Sequence, residues 1–204
     1  MREGARIDAL NGAVASTCDA AAMHPVIADR VRFGLVSFSG EAEVALPLCD
    51  VGLLDDIPTL APRGLTSYGA AFELMRTTIE SDVAQLVADG YRVFRPTVFF
   101  LTDGRPTDAA RDWRSALRRM IDPDFPHRPN VVAFGLGDAP SEILTEVATV
   151  AAYTAADAMS APAAIGAFGT MLVESVVASS TAGTFMLPDI APDGLINLDD
   201  EDLL

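Results

Sequence analysis

The segment that most constrains this chain is Thr97-Val98-Phe99-Phe100-Leu101-Thr102-Asp103-Gly104-Arg105-Pro106-Thr107-Asp108. Its first half is apolar without alternation and rich in β-branched and aromatic residues. This is the pattern of a strand covered on both faces, as in a parallel sheet. The run stops at a Thr-Asp-Gly turn. Ligand sites of open parallel sheets lie beyond the carboxyl ends of the strands, which is where Asp103 falls.

The order of the other elements agrees with such a sheet. Arg2 to about Ala22 carries Ile7, Leu10 and Val14 at helical spacing. Residues 31–39 read as a strand, and residues 41–46 alternate like a half-exposed edge strand, with Gly40 as the hairpin turn. A loop punctuated by Pro and Gly, from Asp55 to Ser67, leads into a helix from Tyr68 to about Ala88, which Asp89-Gly90 ends. Asp108 is placed to cap a helix through Met120. A buried strand at Asn130–Leu136, a helix at Ser141–Val150, a weak strand at Tyr153–Ala155 and a helix at Ala163–Ala178 complete the order. Strands alternating with helices predict an α/β fold, doubly wound, with a mostly parallel sheet and helices on both faces. The length of 204 residues suits one domain over residues 1–180 and an acidic tail over 181–204. The tail holds Asp189, Asp193, Asp199, Asp200, Glu201 and Asp202 and no base, so it is expected to be disordered, the alternative being an ordered docking segment, with Leu195, Ile196, Leu198, Leu203 and Leu204 as anchors for a partner.

The net charge is −15 and all 14 basic residues are Arg, which argues against a nucleic-acid or anionic-membrane surface. Cations or basic protein patches suit it better. Cys18 and Cys49 share no metal-ligand spacing and read as small hydrophobes. No apolar region comes after Arg2, Glu3 and Arg6, and no run approaches about 18 uninterrupted apolar residues, so the expected location is cytoplasmic.

Asp103 offers a carboxylate at the strand end, and Thr102 and Thr107 add hydroxyls. The loop Gly64-Leu65-Thr66-Ser67-Tyr68-Gly69 adds another just before a long helix that should start at the same edge of the sheet. Carboxylate and hydroxyl oxygens suit a hard cation such as Mg²⁺, which keeps several waters. Other motifs read as structure. Ser37 and Ser39 lack a nucleophile-elbow frame, and His24 and His127 sit beside prolines as loop residues. Gly135-Leu136-Gly137 has Pro140 where a dinucleotide loop needs its third glycine. Trp113 reads as a helix anchor under the site loop, while Tyr68 and Arg105 are candidates for the rim of a binding surface.

The Thr-Asp-Gly strand end, the Gly-x-Thr loop before a helix, and Val132-Ala133-Phe134-Gly135-Leu136-Gly137-Asp138 followed by Ile143-Leu144 occur in the order found in von Willebrand factor A (VWA) domains. The chain resembles that family over about residues 1–178. Arg95 through Asp108 followed by Trp113 resembles the bacterial TerY-like, tellurium-resistance-associated members. The resemblance implies a metal-ion-dependent adhesion site, with Thr66 and Asp103 matching the ligands of its second and third loops. The first, central strand and the Asp-x-Ser-x-Ser motif that comes after it are absent from this sequence, and Met1-Arg2-Glu3 resembles the helix start that comes directly after that motif in family members. Three expectations result: a start upstream of Met1, a strand donated by another chain, or a degenerate member without metal.

The family implies a non-catalytic binding module, with Mg²⁺ completing its coordination from an acidic side chain of a protein partner. It also implies a stress-response or signalling context that includes protein kinases or phosphatases. The alternatives are a Mg²⁺-dependent phosphotransferase or phosphatase with Asp103 as nucleophile and a metal-free assembly protein.

Overall fold

The computed structural model describes residues 2–23, 30–54, 56–61, 64–189 and 191–199. His24, Asp200, Glu201, Asp202, Leu203 and Leu204, to which the sequence gives roles, lie outside the described residues. In chain order the elements are α1 (Arg2–Met23), β1 (Arg32–Phe38), β2 (Ala42–Asp50), a short 3-10 turn (Val51–Leu53), α2 (Tyr68–Ala88), β3 (Thr97–Thr102), α3 (Ala110–Met120), β4 (Asn130–Gly135), α4 (Ser141–Val147), β5 (Ala151–Ala155), α5 (Ala161–Ala182) and β6 (Leu195–Asn197).

The strands form two sheets. One has the order β3-β4-β5-β6, with β3, β4 and β5 parallel and β6 antiparallel to β5; the other is the antiparallel hairpin β1-β2. The fold is mixed α/β with a mostly parallel four-stranded sheet, as the alternation of elements predicts. The pleat divides its side chains between two cores. Val98, Phe100, Val131, Ala133 and Ala152 face α2, α3 and α4. Phe99, Leu101, Val132, Phe134 and Tyr153 face the opposite way, against Phe168, Met171 and Leu172 of α5. On that second side α1 contributes Leu10 and Ala13 beside Ile165. Although α5 is long and apolar enough in composition to cross a membrane, its Ile165, Phe168, Met171 and Leu172 are buried against the sheet and α1.

The hairpin shares both layers. Phe38 at the end of β1 stacks on Phe100 with ring centroids 5.3 Å apart, on the α2 side, while Phe33 near its start packs with Val176 and Val177 of α5. Ile165 lies near Leu136 and Leu101 at the upper edge and Val176 lies lower, so β1 runs in the same direction as β3. Among the described residues neither strand has a ladder partner on the side facing the other.

Several boundaries differ from the sequence expectation. β2 continues to Asp50 rather than ending at residue 46. It does so by bulging: Leu46 pairs with Leu35 but Cys49 with Phe33, so an extra residue is accommodated around Pro47, which has no N–H for the ladder. α5 begins earlier than expected, because Ser160 caps the amide of Ala163 with Pro162 in the first turn, and it ends at Gly183, whose φ of 70° forms a left-handed cap.

The tail corrects an expectation over its described residues, 181–189 and 191–199. Instead of remaining disordered, this part runs back along the sheet. Ile196 pairs with Thr154, the Leu198 amide donates to the Ala152 carbonyl, Leu198 is buried, and Phe185, Leu187 and Leu195 cover the Phe134 side of the core. Apolar residues spaced through the acidic stretch supply enough burial to hold it, and Asp189, Asp193 and Asp199 stay exposed.

Candidate functional site

The upper edge of the sheet gathers the loops that the sequence singled out. β3 ends at Thr102, which is buried, and Asp103 emerges exposed beyond it. α2 begins beside this turn. Its cap is Ser67, whose side chain accepts from the Ala70 amide. Thr66 therefore lies one residue outside the helix. A Cβ placed on Gly104 would sit 4.0 Å from Thr66 Oγ1, so the second-loop hydroxyl borders the Asp103-Gly104 turn directly.

Three sets of hydrogen bonds join the two loops. Thr66 and Thr107 exchange a pair: the Thr107 amide donates to the Thr66 carbonyl at 2.8 Å, and the Thr66 amide donates to Thr107 Oγ1 at 3.1 Å. Asp108 accepts from the Gly69 amide at 2.7 Å, the Tyr68 amide at 3.2 Å and the Ser67 hydroxyl at 3.2 Å. The Tyr68 hydroxyl lies 3.1 Å from Thr102 Oγ1 and 3.0 Å from the Gly104 carbonyl, with Thr102 Oγ1 itself 3.3 Å from that carbonyl. The two hydroxyl protons are thus shared in a triangle whose terminal acceptor is Gly104.

Two expectations change here. Asp108 does not cap the helix that comes after it: α3 is entered through Ala109 with no side-chain cap, and the Asp108 carboxylate instead caps α2, where the helix dipole and free amides favour a negative charge. Tyr68 cannot rim a surface, because it is 0% exposed. Its ring sits among Phe38, Phe72, Phe100 and Trp113, at centroid distances of 5.0–6.0 Å. Burial pushes the Tyr68 phenol above its ordinary range, the hydrogen bond it shares with Thr102 opposes this, and the charges of Asp103 and Asp108 reinforce it. The phenol therefore remains a neutral donor at neutral pH.

Arg105 is exposed beside Asp103, and Trp113 is buried beneath the loops with the Arg114 guanidinium 4.8 Å from its ring centre. Ser37 donates to Glu43 across the hairpin at 3.2 Å. His127 is half-buried, edge-on to Phe125. The Gly135-Leu136-Gly137 turn is explained by packing: a Cβ on Gly135 would overlap Leu144 of α4, and Gly137 has φ 58°.

The candidate cation oxygens that the two loops bring to this edge include the exposed Asp103 carboxylate and the hydroxyls of Thr66 and Thr107. Among the described residues no three His, Cys, Asp or Glu side chains form a metal-holding group. The donor set fits a Mg²⁺ that retains most of its water shell and takes one carboxylate from the protein; it does not form an all-protein cage. A separate groove of about 260 Å³ lies between the hairpin and the lower half of α2, lined by Arg32, Cys49, Asp50, Asp82 and Tyr91. No protein-family model matches the chain, and neither a curated protein nor a solved structure matches it.

Proposed function

We propose that this chain is a VWA-type protein-binding module, non-catalytic, that holds Mg²⁺ through Asp103 and Thr66 and uses it to capture an acidic side chain of a protein partner. The context is a cytoplasmic stress-response or signalling system of the tellurium-resistance kind, in which a protein kinase or phosphatase is the candidate partner. The observation that carries this reading is the joining of the Thr66 loop to the Asp103 turn at the carboxyl edge of the sheet through the reciprocal Thr66–Thr107 bonds. Asp103 would hold the cation by its carboxylate and Thr66 by its hydroxyl. When bound, the cation supplies open coordination positions that favour an anionic oxygen from the partner.

The finer fold assignment is supported by the relation between the sheets. β1 and β3 run in one direction under shared helical layers, and among the described residues each lacks a partner toward the other. In VWA domains a central strand occupies that position. The second reading is a metal-free assembly protein. Phosphotransfer has less support. Asp108 occupies the α2 amides that could otherwise cradle a phosphate.

The test is the melting temperature in EDTA and in millimolar Mg²⁺, for the wild type and Asp103→Ala. A rise in the wild type that disappears in the variant supports the cation-dependent module. No rise in the wild type leaves the metal-free reading. Phosphate retained covalently on Asp103 after exposure to acetyl phosphate would instead indicate the enzyme.

A further inference from the structure

We propose that Asp108 and Tyr68 are positioning residues that clamp the Thr66 loop and the Asp103 turn into one unit before any ligand arrives. The segment from Thr102 to Asp108 contains Gly104 and leaves the sheet for the upper surface, so it needs external fixing to hold a defined shape. It is fixed at both ends, by different means. At its start, the buried Tyr68 hydroxyl reaches Thr102 Oγ1 and the Gly104 carbonyl on either side of Asp103. At its end, Asp108 is tied to the hydroxyl or amide of three successive residues, Ser67, Tyr68 and Gly69. Between them, Thr107 exchanges bonds with Thr66.

Tyr68 belongs to both fixings, since its amide meets Asp108 and its hydroxyl meets the Gly104 carbonyl. Its aromatic surroundings hold it in place. The fit is tight enough to specify a neighbour: a Cβ on Gly69 would lie 2.7 Å from Asp108 Oδ2, so glycine is required for the carboxylate to reach these amides. A site with few protein oxygens gains little from each one, and its affinity therefore depends on the oxygens being placed in advance. That half of the proposal rests on the cation-site reading above; the clamp itself does not.

The test uses the full chain with Asp108→Ala, Asp108→Asn and Tyr68→Phe. Amide hydrogen exchange in EDTA reads the clamp, and Mg²⁺ titration of the melting temperature reads the binding. The informative probe is the Thr107 amide, whose acceptor is Thr66 and neither altered residue. Its exchange is expected to accelerate about tenfold in Asp108→Ala, and to a smaller degree in Tyr68→Phe, while the β4 amides of Val132 and Phe134 keep their wild-type rates. A Thr107 amide as protected in both variants as in the wild type would overturn the clamp. If Asp108→Ala does not fold, Asp108→Asn, which keeps one acceptor oxygen, carries the same measurement. In the Mg²⁺ arm, a half-effect concentration raised severalfold in Asp108→Ala supports positioning, and an unchanged one overturns it. A wild type that ignores Mg²⁺ overturns the cation-site reading and leaves the exchange data to decide the clamp.

Discussion

The two sheets are built from similar residues but end in different environments. In the four-stranded sheet, Val131, Val132 and Ala133 of β4 are fully buried, flanked by β3 and β5 and covered by helices on both faces. In the hairpin, Leu35, Val36 and Phe38 are of the same chemical kind, yet none is fully buried, and Leu46 is the sole apolar core residue among the described positions of β1 and β2. An apolar strand sequence therefore states a capacity for burial. Ladder partners on both sides and cover on both faces realise it, and among the described residues β1 has a ladder partner on one side alone.

The largest expected effect tests this contrast directly. Phe134→Ala should cost about 3–5 kcal/mol in urea unfolding, whereas Val36→Ala should cost under about 1.5 kcal/mol. Equal losses would mean that the hairpin is packed as well as the sheet. Glycines give a second comparison. Gly135→Ala drives a Cβ into Leu144 and should cost about 1–3 kcal/mol, while at Gly34 a Cβ meets the Leu46 and Leu48 backbone at 3.4 Å, an ordinary contact, so Gly34→Ala should be near neutral. In native-state hydrogen exchange, the β4 amides should open only with global unfolding, and the β1–β2 pairs should open at lower free energy. A shared opening free energy would make the two sheets one cooperative unit.

The smallest effect lies beside the hairpin. Burial raises the carboxyl pKa of Asp82 above its ordinary value. Because the folded form binds the proton more tightly than the unfolded chain, the penalty is absent below the unfolded pKa and is fully present above the folded one. Asp82→Asn should therefore raise the melting temperature slightly at neutral pH, and the gain should vanish as the pH falls through the carboxylate range.

What was legible in the sequence was local. β3 is marked by its unbroken apolar run, and α2 by Ser67 before it and Asp89-Gly90 after it, because those signals act within a turn of the residues that carry them. What was not legible depended on the other side of the contact. Nothing in the spacing of Asp108 says that its carboxylate will cap α2 rather than α3, since a cap is decided by which amides lie within reach. Tyr68 reads as an exposed aromatic beside a loop until Phe38, Phe100 and Trp113 close over it from three separate segments. The tail misleads a linear reading for a related reason: its acidic composition outweighs Leu195 and Leu198, but these two pack against the sheet while Asp189, Asp193 and Asp199 are exposed.

The pairing of α1 with α5 bears on how the chain acquires its structure. Gly169 of α5 lies so close to α1 that a Cβ there would touch Ala13 and Thr17 at 3.6 and 3.7 Å, and the Asn11 side chain both donates to and accepts from the Leu60 backbone. The first of these helices to leave the ribosome thus has its main resting surface in the last to be made. Closing so long a stretch of chain is slow. Until that happens, Leu10, Ala13 and Val14 must wait uncovered, and synthesis of this protein passes through a stage at which a chaperone has an apolar face to hold.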